Sequence, residues 1–285
     1  MESKKRTASE ADIASVPVHK RQAVTIREPS IFGIKPVDDI TKYIADFIAE
    51  HVHLENVEIE AKLGIFVDKR SNQRMNIGAK TETVLEPEST RQYRFVADMP
   101  LEQHRHFNKM LNETVNRTQA REYKGERVKY KHTIETDRFY EMGRNKCRVT
   151  TEQSTGKIVE NGIIEKIRVA DLNIHSPNQA LDYRISINIE KPRSKPTTNP
   201  IFERNKDRIS YQHGGIAFDL TQVKGSADRD PDVRHELELE FADAKALGLE
   251  KLKNDRKEPS HYTSMVETFV NNIRLLSRSA LKLYK

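Results

Sequence analysis

The nine residues Val233–Phe241, VRHELELEF, restrict what this chain can fold into more than any other stretch. Glu236, Glu238 and Glu240 stand two apart, with Leu237 and Leu239 between them. In a β-strand alternate side chains share a face, so the stretch has an acidic row and an aliphatic row. The segment NVEIEAKL repeats the pattern with Glu58 and Glu60.

Other segments alternate in the same way. Arg184, Ser186, Asn188 and Glu190 are spaced by Ile185, Ile187 and Ile189. Arg204, Lys206, Arg208 and Ser210 form a basic row. Lys146, Arg148, Thr150 and Glu152 lie opposite Cys147 and Val149, and Asp219 and Thr221 opposite Phe218 and Leu220. Strands are predicted over 56–67, 91–97, 132–141, 145–152, 162–172, 182–191, 203–212, 216–223 and 234–242. Gly214-Gly215 reads as a hairpin turn, and Pro192, Pro196 and Pro200 mark a loop.

Four segments carry helical periodicity. One runs from Asp38 or Asp39 to about His51, with Ile40, Tyr43, Ile44, Phe47 and Ile48 on one stripe. A second opens at Pro100, with Leu101, Phe107, Leu111 and Val115. A shorter one covers 243–253, and the last runs from about Ser260 toward the C-terminus through Met265, Val266, Phe269, Val270, Ile273 and Leu276. There is no internal repeat at a fixed period.

A sheet with one wet face would account for a single alternating strand. Here the rows are unmixed in sign, with no lysine at the near neighbours of Glu236, Glu238 and Glu240 and no acid among Arg204, Lys206 and Arg208. Like charges in one row repel, and a sheet selected only for stability intersperses its signs. The amphipathic helices also need apolar surface to cover, and the strands' aliphatic rows supply it. The reading is an α+β fold: a closed antiparallel β-tunnel with a charged interior and helices packed on the outside.

Enclosed charges need partners. Carboxylates at this density suit Mg2+ or Mn2+ rather than zinc. Basic rows suit phosphate oxygens. Both in one cavity describe phosphoryl hydrolysis. The net charge of +6 and pI of about 9.2 suit an anionic partner such as RNA. Cys147 is the only cysteine, which excludes an internal disulfide and suits a reducing compartment. No apolar run reaches membrane-spanning length, and no secretory signal is expected. Residues 1–26 read as a disordered basic arm and 27–285 as one catalytic domain. Lys4-Lys5-Arg6 and His19-Lys20-Arg21 read as a nuclear import signal or a solubilising tail. His51, His53, His104 and His106 make no zinc set with the one cysteine, and most of the ten histidines read as surface or interface residues.

The runs VEIEAKL (57–63), KDRISY (206–211) with FDLT (218–221), and HELELE (235–240) resemble, in order, the three signature motifs of the fungal mRNA 5′-triphosphatases. These are triphosphate tunnel metalloenzymes. The likeness extends through IFGIKPVDDI (31–40), IEKIR (164–168) and ISINIE (185–190), so it spans about Arg27 to Phe241. It implies a tunnel of eight antiparallel strands. It implies metal-dependent hydrolysis of the γ-phosphate of 5′-triphosphate-ended nascent RNA to a diphosphate end, the first step of cap formation. By motif, Glu58, Glu60 and Glu240 would bind the metal, Mg2+ or Mn2+. Glu190 and Glu238 would orient water and Glu236 would support the site. Arg148, Lys206 and Arg208 would clamp the γ-phosphate, and Lys166 and Arg204 would meet the rest of the triphosphate. Asp219 and Thr221 would brace the basic residues, and Asp137 would add a water contact.

The resemblance further implies a nuclear homodimer, with Ile31-Phe32 as its candidate interface. It implies the capping guanylyltransferase and the phosphorylated RNA polymerase II tail as partners, the latter by likeness to the fission-yeast branch. Some relatives hold the guanylyltransferase through a tryptophan-containing segment, and this chain has no Trp. Ala217 stands where the family often has arginine, and Leu63 where it often has phenylalanine. Rival readings are a barrel that grips RNA ends or polyphosphate without cleaving them, another tunnel-family phosphohydrolase, and a purely structural sheet.

Overall fold

The computed structural model describes residues 27–143, 145–225 and 233–283. The 1–26 arm, with Lys4-Lys5-Arg6 and His19-Lys20-Arg21, lies outside the described residues. The chain divides into a unit ending at Val37 and a unit over Asp38–Lys285. In the first, Ser30 Oγ donates to the Ile34 carbonyl at 2.6 Å and Gly33 N–H to the Ser30 carbonyl at 3.0 Å. Ile31 and Phe32 in this turn are 92% and 83% exposed.

Among the described residues the second unit has ten strands. They are β1 (Val57–Asp68), β2 (Thr83–Leu85), β3 (Tyr93–Val96), β4 (Lys129–Met142), β5 (Asn145–Glu152), β6 (Ile158–His175), β7 (Asp182–Pro192), β8 (Phe202–His213), β9 (Ile216–Gly225) and β10 (Val233–Phe241). The sheet runs β10-β9-β8-β4-β5-β6-β7-β1, and β10 also pairs with β1, closing a ring of eight antiparallel strands. Gly214 and Gly215, at φ +60° and +73°, make the two-residue turn between β8 and β9.

Two strands stand off the ring. β2, absent from the sequence prediction, is only three residues long and pairs with the end of β6. The segment predicted as a strand over 91–97 contributes β3, which pairs with Ile65–Asp68 at the far end of β1. Gly64 permits that crossing, since a Cβ there would meet the Val96 carbonyl oxygen at 2.2 Å. β6 is longer than predicted and carries a bulge between Arg168 and Ala170, where alternation breaks and a period-2 reading loses track.

Helices α1 (Asp39–Ala49), α2 (Leu101–Gln119), α3 (Ala244–Asp255) and α4 (Tyr262–Ser279) lie outside the ring. Asp38 caps α1 by accepting from Thr41 N–H at 2.9 Å, and Asp243 caps α3 by accepting from Ala246 N–H at 2.9 Å. Ile44 and Ile48 of α1, Phe107 of α2, and Val266, Phe269 and Ile273 of α4 are fully buried. They share one core with Ile59, Ala61 and Leu63 of β1, Ile185 and Ile187 of β7, and Leu237 and Leu239 of β10. Each such valine, leucine, isoleucine or phenylalanine contributes about 1.5–3 kcal/mol by leaving water. Period 2 then turns the opposite rows of the ring strands, outside the β6 bulge, into the tunnel.

Three histidines depart from the surface reading. His104, His175 and His235 are buried, with the rings of His104 (α2) and His235 (β10) packed 4.9 Å apart. Among the described residues no helix is long and apolar enough to cross a membrane.

Candidate active site

The inward rows enclose a cavity of about 450 Å³. Its lining includes Glu58, Glu60, Glu190, Glu236, Glu238, Glu240, Arg148, Lys166, Arg204, Lys206, Arg208, Asp219 and Thr221. Asp137, with no exposed surface, lies beneath the basic residues.

The basic wall is carried by β4, β5 and β8. Register places Asp137 opposite Arg204 and Thr150, and Glu135 opposite Lys206. Lys206 Nζ lies 3.2 Å from both Glu135 and Asp137. Arg204 donates from Nε to Asp137 at 3.0 Å, and Thr150 donates to the other carboxylate oxygen at 2.7 Å. Burial works to raise the Asp137 carboxyl, but Lys206, Arg148 and Arg204 outweigh it and hold it below the usual range. Burial and the neighbouring Arg208 pull the Lys206 ammonium down. Arg208 pairs with Asp219 at 3.0 Å and Arg148 with Glu190 at 3.2 Å. The Nε groups of Arg148 and Arg208 are buried without a partner in the protein. Two guanidinium donors lacking acceptors, beside a buried ammonium, form a receptor for an oxyanion.

The acidic wall is carried by β1, β7 and β10. Glu60 stands directly opposite Glu240, and Lys62 opposite Glu238. The acidic rows are therefore not free of cations, as the sequence reading had them. Lys62 forms an ion pair with Glu238 and lies 3.9 Å from Glu236 and 4.0 Å from Glu60. Lys166 lies 2.5 Å from Glu58 and 3.3 Å from Glu60. Burial would raise the Glu238 carboxyl, yet Lys62 and Arg208 hold it well below the carboxylate range, so it stays ionised.

Negative charge remains in excess elsewhere on this wall. Burial, then the Asp219 and Glu58 carboxylates, push Glu240 up to about 8. Ala217 is the register partner of Glu240, so at that point β9 answers it with no cation. Asn188 donates to Glu58 at 2.9 Å and to Glu60 at 3.1 Å, and its own Oδ1 is buried without a partner. Among the described residues no three acidic, His or Cys side chains converge on one point. The donors are nonetheless all oxygen and adjacent in register, and the carboxylates outnumber the two lysines among them. They fit a hard divalent cation.

The sequence reading missed Lys62, Glu135 and the bridging role of Asn188. The signal was present: Lys62 continues the Glu58, Glu60 row, Glu135 shares a face with Asp137, and Asn188 alternates with Glu190.

A closed eight-stranded ring whose interior sets an oxyanion receptor against a wall of carboxylates defines a triphosphate tunnel protein. The family model for the mRNA capping enzyme, beta chain, matches residues 34–282. The mRNA-capping enzyme subunit beta of Schizosaccharomyces pombe is 36% identical over 96% of this chain and 93% of its own length. That of Cryptococcus neoformans is 33% identical over 88% of this chain and 64% of its own. The solved structure of S. pombe Pct1 RNA triphosphatase superposes with a TM-score of 0.83 at 35% identity, covering 91% of this chain and 100% of the other. A further structure shows that protein in complex with the Spt5 CTD. The chain belongs to the mRNA capping enzyme beta chain family.

Proposed function

We propose that this chain is the RNA triphosphatase subunit of the capping apparatus, removing the γ-phosphate of 5′-triphosphate-ended nascent RNA to leave a diphosphate end. The observation that carries this reading is that Arg148, Lys206 and Arg208, with the Nε groups of both arginines lacking a partner, line one cavity with the glutamate wall. Phosphoryl transfer asks a protein mainly for positioning and electrostatic stabilisation, and this interior offers both.

Arg148, Lys206 and Arg208 hold the γ-phosphate and neutralise charge on its equatorial oxygens. Arg204 and Lys166 receive the remaining phosphates. Asp137 and Asp219 fix the basic side chains from behind through the contacts described above. Glu238, held ionised, and Glu190 accept hydrogen bonds from the attacking water and set it in line. Glu58, Glu60 and Glu240 would hold Mg2+ or Mn2+, which when bound withdraws charge from a γ-phosphate oxygen. Phosphate release from triphosphate-ended RNA, with and without each ion, tests the reading. Release is expected only with a divalent ion, and binding without release in every condition overturns it.

The subunit acts in the nucleus, where nascent transcripts are capped. The exposure of Ile31 and Phe32 supports a homodimer through that segment. A Phe32→Asp chain that keeps the wild-type mass by light scattering would rule that interface out. The Spt5 CTD bound by the S. pombe relative supports a CTD of that kind as a partner of this chain, beside the RNA polymerase II tail and the capping guanylyltransferase.

A further inference from the structure

The basic wall ends in aromatic rings. Going outward along the tunnel face of β8, the row reads Lys206, Arg204, Phe202, and the facing row of β4 reads Glu135, Asp137, Phe139. Phe139 and Phe202 are register partners, stacked with centroids 4.3 Å apart and planes 10° from parallel. Arg204 lies over the Phe139 ring at 5.1 Å and Lys146 of β5 over the Phe202 ring at 5.0 Å. Among the described residues these are the only aromatic side chains on the tunnel faces of β4, β5 and β8.

A stacked pair at a sheet end is ordinarily part of a core. This pair is not: both rings are half-buried, and neither joins a core cluster, including the small one of Tyr140, Cys147 and Val149 behind the same strands. The rings instead continue the phosphate-binding row, one residue pair beyond Arg204. We propose that Phe139 and Phe202 form a stacking ledge for the first nucleoside of the substrate, with Arg204 on the phosphate side and Lys146 on the solvent side. This rests on the triphosphatase reading and adds where the RNA leaves the tunnel. Every base has a π-face, so such a ledge accepts any first nucleotide. Arg204 is anchored on Asp137, whereas Lys146 is exposed. The base reaches the outer face of Phe202 as Lys146 moves aside toward the RNA backbone.

Two substrates separate the ledge from the phosphate machinery. Triphosphate-ended RNA carries a nucleoside, and inorganic tripolyphosphate does not. Phe202→Leu keeps apolar bulk but removes the π-face. Its KM for RNA is expected to rise roughly tenfold relative to its KM for tripolyphosphate, the factor that about 1.4 kcal/mol of stacking represents. Phe202→Trp restores the wild-type ratio. It also places a single tryptophan in a chain that has none. With divalent ions omitted, triphosphate-ended RNA is expected to quench that tryptophan and tripolyphosphate to leave it bright. A Phe202→Leu enzyme whose two KM values move together, or a tryptophan that both ligands quench alike or neither quenches, overturns the ledge. Wild-type chain that releases no phosphate from RNA overturns the triphosphatase reading instead, and the quenching still tests the ledge.

Discussion

The acidic half of the tunnel and the basic half are stabilised from opposite sides. Behind β1, β7 and β10 lies the helical core, where Ile59, Leu63, Ile185, Ile187, Leu237 and Leu239 meet α1 and α4. Behind β4 and β5, among the described residues, there is only the small cluster of Tyr140, Cys147 and Val149, and Tyr130 and Ile134 are 62% and 44% exposed, while β8 meets the helical core near its C-terminal end through Tyr211. Inside, the order reverses. On the basic side Lys206 and Arg204 are met by Asp137, and Arg208 by Asp219 of the next strand. On the acidic side Glu60, Glu236 and Glu240 are all held above the ordinary carboxylate range, burial being the first cause of each. A wall fixed by apolar burial on its outer face tolerates more carboxylates on its inner face than Lys62 and Lys166 neutralise. A wall with less of that backing depends more on its ion pairs.

Removing a carboxylate should therefore act in opposite directions on the two walls. Asp137→Ala leaves Lys206, 4% exposed, and Arg204 without their shared partner. Breaking a buried pair in this way costs about 3–5 kcal/mol, which urea unfolding would register as a lower midpoint. Equal losses for Asp137→Ala and Glu60→Gln would break the comparison.

Next in size is an effect on rate. Glu58→Ala, on the wall whose fold does not rest on its charges, should keep the fold and lower phosphate release from triphosphate-ended RNA by at least about 10²-fold. Normal turnover by a folded Glu58→Ala chain would remove β1 from the chemistry. Glu240→Gln sharpens the point. It relieves crowding by Asp219 and Glu58, so the metal-free protein should melt higher, by about 2–4 °C for each kcal/mol gained, while activity falls. A lower melting temperature for metal-free Glu240→Gln would show that its charge is already answered.

The difference between the walls also explains what the sequence discloses. Rows with one burial face per strand, such as Glu236, Glu238 and Glu240 between Leu237 and Leu239, reveal their direction by period alone. The closed tunnel, its outer helices and the charged rows that line the cavity were legible for that reason. Pairing across strands is a non-local property. That Lys62 stands opposite Glu238, or Asn188 opposite Glu58, depends on register, which no single segment encodes. β2 was invisible because three residues carry no period, and the bulge in β6 because it interrupts one. The sequence reading did not single out Phe139, and Phe202 fell just before the 203–212 strand; only register puts both on the charged face.

The smallest effect concerns the helix backing itself. His104 on α2 packs against His235 on β10, the strand of Glu236, Glu238 and Glu240. Burial, then the neighbouring His235, lowers His104 to about 4, and burial lowers His235 as well. Asp207 acts on His104 and Asp98 on His235 in the opposite direction, while Arg105 adds to the lowering of His235. A histidine depressed on folding contributes stability that is complete above its unfolded value near 6.5 and is lost as pH falls from there toward 4. At pH 6 the loss is on the order of 0.5 kcal/mol, after allowance for water reaching the ring edge. His104→Phe keeps a ring against His235 and cannot charge. Its melting temperature should therefore fall less than that of wild type between pH 8 and pH 6. Parallel melting curves for the two proteins would mean that acid loosens this molecule somewhere other than the seam between α2 and the acidic wall.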